Sequence, residues 1–286
     1  MSKLRFGAMS LALAGSMIAL SGTVLADGPR YSIKDTPAPA PFSWTGFYVG
    51  LNAGYAWGNS DLASSFTCPV TDGTCPYNVP LNQQRFSSDT SGTSRSSGFT
   101  GGGQAGYNWQ MGNIVLGAET DFNAFHLSRT IAGGGPIPST GLPWAGTASV
   151  DTDWLFTLRG RAGWTVLPQI LLYATGGLAV TKLEVGNSFS GFNFAPGPTP
   201  APTPGSSSQA DTKAGWTVGG GLEWAIDRNW SLKSEYLFVN FGTVGTTARV
   251  NGVVNGGGGA VVTPNVFTTT GDLNAHIARV GLNYKF

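Results

Sequence analysis

Two side chains near position 126 have the residue types of a hydrolytic site. His126 and Ser128 are separated by one residue, and a histidine beside a serine can serve as general base to a hydroxyl nucleophile. A triad also needs an acid that orients the histidine, and the sequence nominates none for this pair. His276, the other histidine, is no stronger a candidate for a catalytic base. A histidine at the edge of a loop is therefore the favoured interpretation, and hydrolysis by His126 and Ser128 stays an alternative.

A glycine-rich segment and two cysteines carry the remaining motifs. Residues 101–106 (GGGQAG) satisfy G-x-G-x-x-G, but a dinucleotide-binding motif opens a helix, whereas this segment lies within a strand-like alternation. Cys68 and Cys75 are the only cysteines, and in an exported protein they are expected to form a disulfide. Zinc is poorly supported because neither histidine is near them and a structural site needs four ligands. We expect no metal and no cofactor.

Composition and the amino terminus together predict an exported membrane protein. Only 11% of the 286 residues are charged, against about 25% in soluble domains, and the net charge of +1 excludes a basic field for nucleic acid. Lys3 and Arg5 precede an uncharged apolar run, and residues 24–26 (VLA) offer a cleavage site before Asp27. No later segment has the roughly 18 consecutive apolar residues of a membrane helix. A closed β-barrel is the other structure that can span a bilayer.

Eight segments show the period-two alternation of apolar and polar residues that a membrane barrel requires. They are residues 46–57, 99–109, 114–125, 153–166, 169–184, 213–226, 230–241 and 274–286. By this parity, seven of the nine tryptophans, all but Trp44 and Trp144, point outward. A soluble β-sandwich also alternates, but it would not place charges on one face and large aromatics at the strand ends of the other.

The inward positions of these segments carry nine charged residues. They are Glu119, Asp121, Glu223 and Glu235 with a total charge of −4, and Arg159, Arg161, Lys233, Arg279 and Lys285 with a total charge of +5. The interior of an eight-stranded barrel is just wide enough for side chains to fill. We therefore expect these charges to pair across the lumen rather than to line a channel, and a network that opens to pass small ions is the alternative.

The links between the segments alternate between short and long. Residues 110–113, 167–168 and 227–229 form tight turns, whereas 59–98, 126–152, 185–212 and 242–273 are long. The predicted fold is all-β, an eight-stranded antiparallel transmembrane β-barrel with four long extracellular loops. The predicted organisation is a cleaved signal peptide (1–26), a periplasmic lead-in rich in proline (27–43) and an outer-membrane barrel (44–286).

Several strand segments resemble a known family. Residues 42–55 (FSWTGFYVGLNAGY), 102–109 (GGQAGYNW), 219–224 (GGGLEW) and 280–286 (VGLNYKF) resemble the small outer-membrane surface antigens of Brucella and rhizobia. The resemblance implies an eight-stranded barrel in the outer membrane of a Gram-negative bacterium, and that family carries no established catalytic residues. The terminal Phe286 resembles the end of many such barrels, which their assembly machinery recognises, and is thus a candidate assembly signal.

These observations predict a structural or surface role in the bacterial envelope, with weak porin-like permeation of small solutes as a further expectation and no enzyme activity. General porins need about 16 strands, which this chain does not supply. The alternative is an enzyme that modifies lipid, because the His-x-Ser pair at His126 and Ser128 resembles that of outer-membrane lipid A deacylases. The expected partners are outer-membrane lipid, lipopolysaccharide and the barrel-assembly machinery, with self-association open and nucleic acid excluded.

Overall fold

The chain forms a closed antiparallel barrel in which the strands follow one another from β1 to β8. The computed structural model describes residues 42–67, 80–139, 141, 143–192, 202–256 and 259–286. The strands are β1 (Gly46–Thr67), β2 (Gly92–Met111), β3 (Ile114–Pro136), β4 (Pro143–Leu167), β5 (Ile170–Phe192), β6 (Pro202–Ala225), β7 (Trp230–Gly256) and β8 (Gly259–Lys285), and a helix α1 (Pro80–Asp89) lies between β1 and β2. The prediction of an all-β, eight-stranded antiparallel barrel is confirmed.

The two ends of the barrel differ in their connections. The tight turns between β2 and β3, β4 and β5, and β6 and β7 open on the side where β1 begins and β8 ends, and we call this side the short-turn end. At this end, β8 is joined to β1 by a backbone hydrogen bond in which the N–H of Phe286 donates to the carbonyl of Phe47 at 3.0 Å. We call the opposite side the hairpin end.

The prediction of four long loops is wrong in its boundaries. Most of residues 126–152, 185–212 and 242–273 continue the strands instead, as do 59–67 and 92–98 of the first predicted loop, which also contains α1. The strands β7 and β8 remain paired out to Gly256 and Gly259. These extensions are rich in glycine, serine and threonine, so they lack the apolar alternation by which the strands were predicted. Their backbone groups nevertheless pair across strands, which is sufficient to form a β-ladder.

The outward face of the barrel is apolar. Its exposed aromatic residues at the short-turn end are Phe47, Trp109, Trp164, Trp224, Trp230 and Phe286. Trp44 and Trp144, by contrast, are buried with 2% and 4% of their surface exposed. Among the described residues, no helix has the length and apolar character needed to cross a membrane.

Two irregularities split the barrel wall at the hairpin end. Pairing of β2 with β3 ends at Thr100 and Phe125, beside a register shift in β3, and pairing of β6 with β7 ends at Trp216 and Asn240, beside a shift in β7. Gly242 lies in the second shift with a φ of 65°, a conformation that favours glycine. Beyond these points the wall consists of two four-stranded sheets, one of β3 to β6 and one of β7, β8, β1 and β2.

Aromatic side chains fill the space between these two sheets. The aromatic cap consists of Phe66, Phe86, Trp144, Phe189 and Phe267, all of them buried. The ring of Phe86, from α1, lies 4.6 Å from that of Trp144 and 5.4 Å from that of Phe66, measured between centroids. Because Trp144 belongs to one sheet and Phe66 to the other, α1 joins the two sheets through this cap.

Candidate functional site in the barrel lumen

The lumen charges meet around Glu119 of β3. Its carboxylate accepts hydrogen bonds from Arg159 at 2.5 Å, from Lys233 at 2.7 and 2.8 Å and from the hydroxyl of Tyr48 at 2.6 Å. These donors come from β4, β7 and β1, so the contacts cross the lumen as well as following the wall. Gly106 makes one of them possible, since a Cβ at this position would lie 2.4 Å from the Tyr48 hydroxyl oxygen.

Arg159 links this cluster to two further carboxylates. Its guanidinium lies 2.7 Å from Asp121 and 3.0 Å from Glu235. Arg279 bridges the same two carboxylates from β8, at 2.9 Å to Asp121 and 2.5 Å to Glu235. Each carboxylate is thus shared by two guanidinium groups, which satisfies more of its lone pairs than a single pair would.

A second part of the network lies around Glu223 of β6. Arg161 donates to one oxygen of Glu223 at 2.7 Å, and Ser231 and Asn283 donate to the other at 2.6 and 2.8 Å. The guanidinium of Arg161 also stacks over the ring of Tyr173, 4.1 Å from its centroid, a cation–π contact that stabilises a desolvated cation.

We define the lumen network as Glu119, Asp121, Arg159, Arg161, Glu223, Lys233, Glu235 and Arg279. It contains four carboxylates and four bases, and each residue has at most 4% of its surface exposed. Each ion contacts at least one ion of opposite charge. A buried and neutral network of this kind holds its charges by mutual pairing and not by water, since desolvating an unpaired ion costs several kcal/mol. The eight side chains therefore stabilise one another inside the barrel.

Lys285 is the one predicted lumen charge that lies apart from this network. Its ammonium donates to the backbone carbonyl of Ser43 and lies 4.7 Å from the ring centroid of Phe42. No carboxylate of the described residues forms an ion pair with it. Because β8 ends at Lys285, its side chain lies at the rim of the barrel and does not reach the interior position that the sequence had predicted for it.

Sequence reasoning missed the uncharged members of this site. Tyr48, Tyr173, Ser231 and Asn283 all donate to its carboxylates. A usable signal was present, because each occupies an inward position of a strand, where a polar side chain needs a partner.

The remaining predicted site residues have no comparable surroundings. His126 and Ser128 are both exposed on the outer face of β3, and the cross-strand neighbour of Ser128 is Asp151. No hydrogen bond joins these three side chains, and the part of the chain that the structure describes contains no cluster of metal ligands. Cys68 and Cys75 lie outside the described residues.

The glycine-rich motif is part of β2. A Cβ at Gly102 would lie 2.0 Å from the carbonyl oxygen of Phe122, so glycine allows β3 to approach closely. Residues 101–106 therefore shape the barrel wall and do not form a phosphate-binding loop.

Comparison with known proteins identifies the family. The family model described as "outer membrane protein beta-barrel domain" matches residues 35–286. The chain is also 37% identical, over 282 residues, to the 31 kDa outer-membrane immunogenic protein of Brucella melitensis, covering 97% of this chain and 99% of that protein. The chain belongs to the outer-membrane β-barrel family. It is accordingly an outer-membrane protein of a Gram-negative bacterium, and its resemblance to surface antigens of Brucella and rhizobia is confirmed.

Two further similarities are more distant. The 22 kDa outer membrane protein of Rhizobium leguminosarum is 26% identical, covering 73% of this chain and 69% of that protein. Among solved structures, the outer membrane protein OprG from Pseudomonas aeruginosa is 12% identical, with a TM-score of 0.42 over 85% of this chain and 96% of that chain.

Proposed function

We propose that this protein is a non-enzymatic barrel that stabilises the outer membrane and presents its hairpin end at the cell surface. The observation that carries the proposal is the filled lumen. The lumen network occupies its middle, and apolar side chains such as Leu155, Leu171 and Leu237 are fully buried beside it. A lumen of this kind leaves the outer surface and the hairpins as the parts that meet other molecules.

Orientation follows from the two kinds of connection. Outer-membrane barrels have short turns in the periplasm and long connections outside the cell, so the hairpin end and its aromatic cap face outward. The related Brucella protein is named as immunogenic, which supports surface exposure of the corresponding region here.

The filled lumen also bears on permeation. A solute crossing the barrel would have to displace paired charges and the aromatic cap. We therefore propose that weak permeation of small solutes requires opening of the lumen network and does not use a permanently open channel.

The outer surface defines the proposed partners. Its apolar band fits membrane lipid and the acyl chains of lipopolysaccharide. Phe286 is 70% exposed and stacks on Phe47 with 5.9 Å between centroids, so its ring is accessible to the barrel-assembly machinery. Self-association of barrels through this surface is a further proposal.

Deletion of the gene tests the structural role. We expect the deletion strain to become sensitive to detergents that the intact outer membrane excludes, and wild-type protein to restore resistance. A double variant, His126→Ala with Ser128→Ala, should restore it equally. A deletion strain with normal resistance would contradict the structural role, and failure of the double variant at normal abundance would instead favour the lipid-modifying enzyme.

A further inference from the structure

One buried charge lies outside the lumen network. Arg129 of β3 points inward at the hairpin end and has 3% of its surface exposed. All three of its guanidinium nitrogens are buried without a hydrogen-bond partner. Its inward neighbours on β3 and β4 are apolar, since Leu127 lies two residues before it on β3 and its cross-strand neighbour is Val150 of β4, both buried.

The rest of the lumen cannot neutralise this cation. The lumen network is already balanced, with four carboxylates and four bases in mutual contact. Asp89, from α1, lies near β3 at Gly133, but it pairs with Arg85 at 3.0 Å. An arginine does not lose its proton in proteins, and an unpaired buried charge costs several kcal/mol. Arg129 therefore requires a negative charge that the described residues do not supply.

The other unpaired polar atoms at the hairpin end are also donors. Between Asn123 and the hairpin end, the buried side-chain atoms of the described residues that lack a hydrogen-bond partner are the guanidinium nitrogens of Arg129, Nδ2 of Asn187 and Nε1 of Trp144. Val150 of β4 pairs with Arg129 on one side and with Val185 of β5 on the other. Asn187 is the next inward residue of β5 after Val185. Trp144 lies further along, opposite Gly135, so Arg129 and Asn187 are the nearer of these residues. Buried side-chain N–H groups that have no partner are complementary to an anion.

We propose that Arg129 binds a small inorganic anion of the halide type inside the hairpin end of the barrel. The buried inward residues beside Arg129 on β3 and β4 are Phe125, Leu127 and Val150, and its Nη2 atom reaches Gly58 of β1. These neighbours have no polar side-chain atoms, which favours a monatomic ion, because a larger oxyanion would need more polar partners. The low dielectric of the surroundings strengthens the attraction between the anion and the guanidinium.

The split in the barrel wall gives the anion a route to this site. The aromatic cap closes the axial path at the hairpin end, but pairing of β2 with β3 ends at Thr100 and Phe125, four residues before Arg129. The wall beside Arg129 therefore lacks a backbone ladder, although β2 still packs against β3 where Gly98 meets His126. Separation of β2 from β3 at this point would admit an anion from the side without crossing the lumen network.

A linkage experiment tests the proposal. The full-length mature protein is refolded in lipid vesicles and unfolded with urea in sodium chloride or in sodium gluconate at equal ionic strength. Chloride that binds only the folded state should lower the unfolding equilibrium constant about tenfold for each tenfold rise in concentration above its Kd. Gluconate, which is too large for the site, should have no such effect.

Two variants assign the effect to Arg129. Arg129→Gln should abolish the chloride dependence, whereas Arg95→Gln, at an exposed arginine of β2, should leave it unchanged. Arg129→Lys, which keeps the charge, should retain it in weaker form. Equal unfolding in chloride and gluconate, or a chloride effect that persists in Arg129→Gln, would overturn the proposal.

Crystals of the wild-type protein grown with bromide provide a test that does not depend on a variant's folding. Bromide should give an anomalous peak in contact with the guanidinium of Arg129. A well-ordered Arg129 without such a peak at high bromide concentration would overturn the proposal.

Discussion

Replacing Arg159 by leucine removes a cation that donates hydrogen bonds to three carboxylates of the lumen network. The change leaves four carboxylates against three bases in a region with almost no exposed surface, and it deprives Glu119, Asp121 and Glu235 of their contacts at 2.5, 2.7 and 3.0 Å. Removing one partner of a buried ion pair costs about 3–5 kcal/mol. We expect Arg159→Leu to lower the free energy of unfolding by this amount.

Urea titration of the barrel in lipid vesicles measures this loss. A matched control is Lys182→Met, because Lys182 pairs with Asp153 at 3.7 Å with both side chains exposed, and such a pair contributes less than about 1 kcal/mol. Adding Asp121→Asn to Arg159→Leu restores neutrality and should recover part of the loss. A loss below about 1 kcal/mol in Arg159→Leu would mean that water screens the lumen, which would refute the buried network.

Three further predictions concern the ends of the chain and of the barrel. In a variant without cysteines, Ser208→Cys at the hairpin end should react with an impermeant thiol reagent on intact cells, whereas Arg228→Cys at the short-turn end should not. Equal labelling of both positions would contradict the proposal that the hairpin end faces outside the cell. Deletion of Phe286 should cost only about 1–3 kcal/mol of burial but should strongly reduce surface abundance in cells, with near-normal refolding in vesicles; equal defects in both assays would mean that the residue acts through packing alone. Backbone N–H groups of the β6–β7 turn hold the pKa of Asp227 below its usual range. The ionised carboxylate should therefore stabilise the fold above about pH 4, and this stabilisation should be lost as pH falls through the lowered pKa. The free energies of unfolding of Asp227→Ala and the wild type, measured across pH 2–6, should converge at the acid end, and a constant difference would contradict this reasoning.

The alternation of apolar and polar residues along the chain was the main sequence feature that predicted the barrel. This alternation predicted the strand number and the inward charges, because a barrel wall forces successive side chains to opposite faces. Alternation fails where both faces are polar. The strand extensions at the hairpin end are therefore absent from the sequence prediction, and so is α1, whose buried Phe86 is recognisable only once the aromatic cap is formed.

Contacts across the lumen were the least predictable feature. The parity of a residue predicts that its charge points into the barrel, but it predicts neither the position of that charge along the barrel axis nor its partner. Ion pairing across the lumen depends on the register of strands that are far apart in sequence. Lys285 was thus grouped with charges that it does not reach. Arg129 was not identified from the sequence because Thr130 and the three glycines at 133–135 give the end of β3 no clear apolar face.

If paired side chains fill the lumen, the refolded mature protein should not conduct ions steadily across a planar bilayer. We expect no steady single-channel current for the wild type at neutral pH, with brief openings in Arg159→Leu, where the lumen network is weakened. A stable conductance in the wild type that is unchanged by Arg159→Leu would contradict this expectation, because ions would then cross a water-filled path that the lumen network does not control.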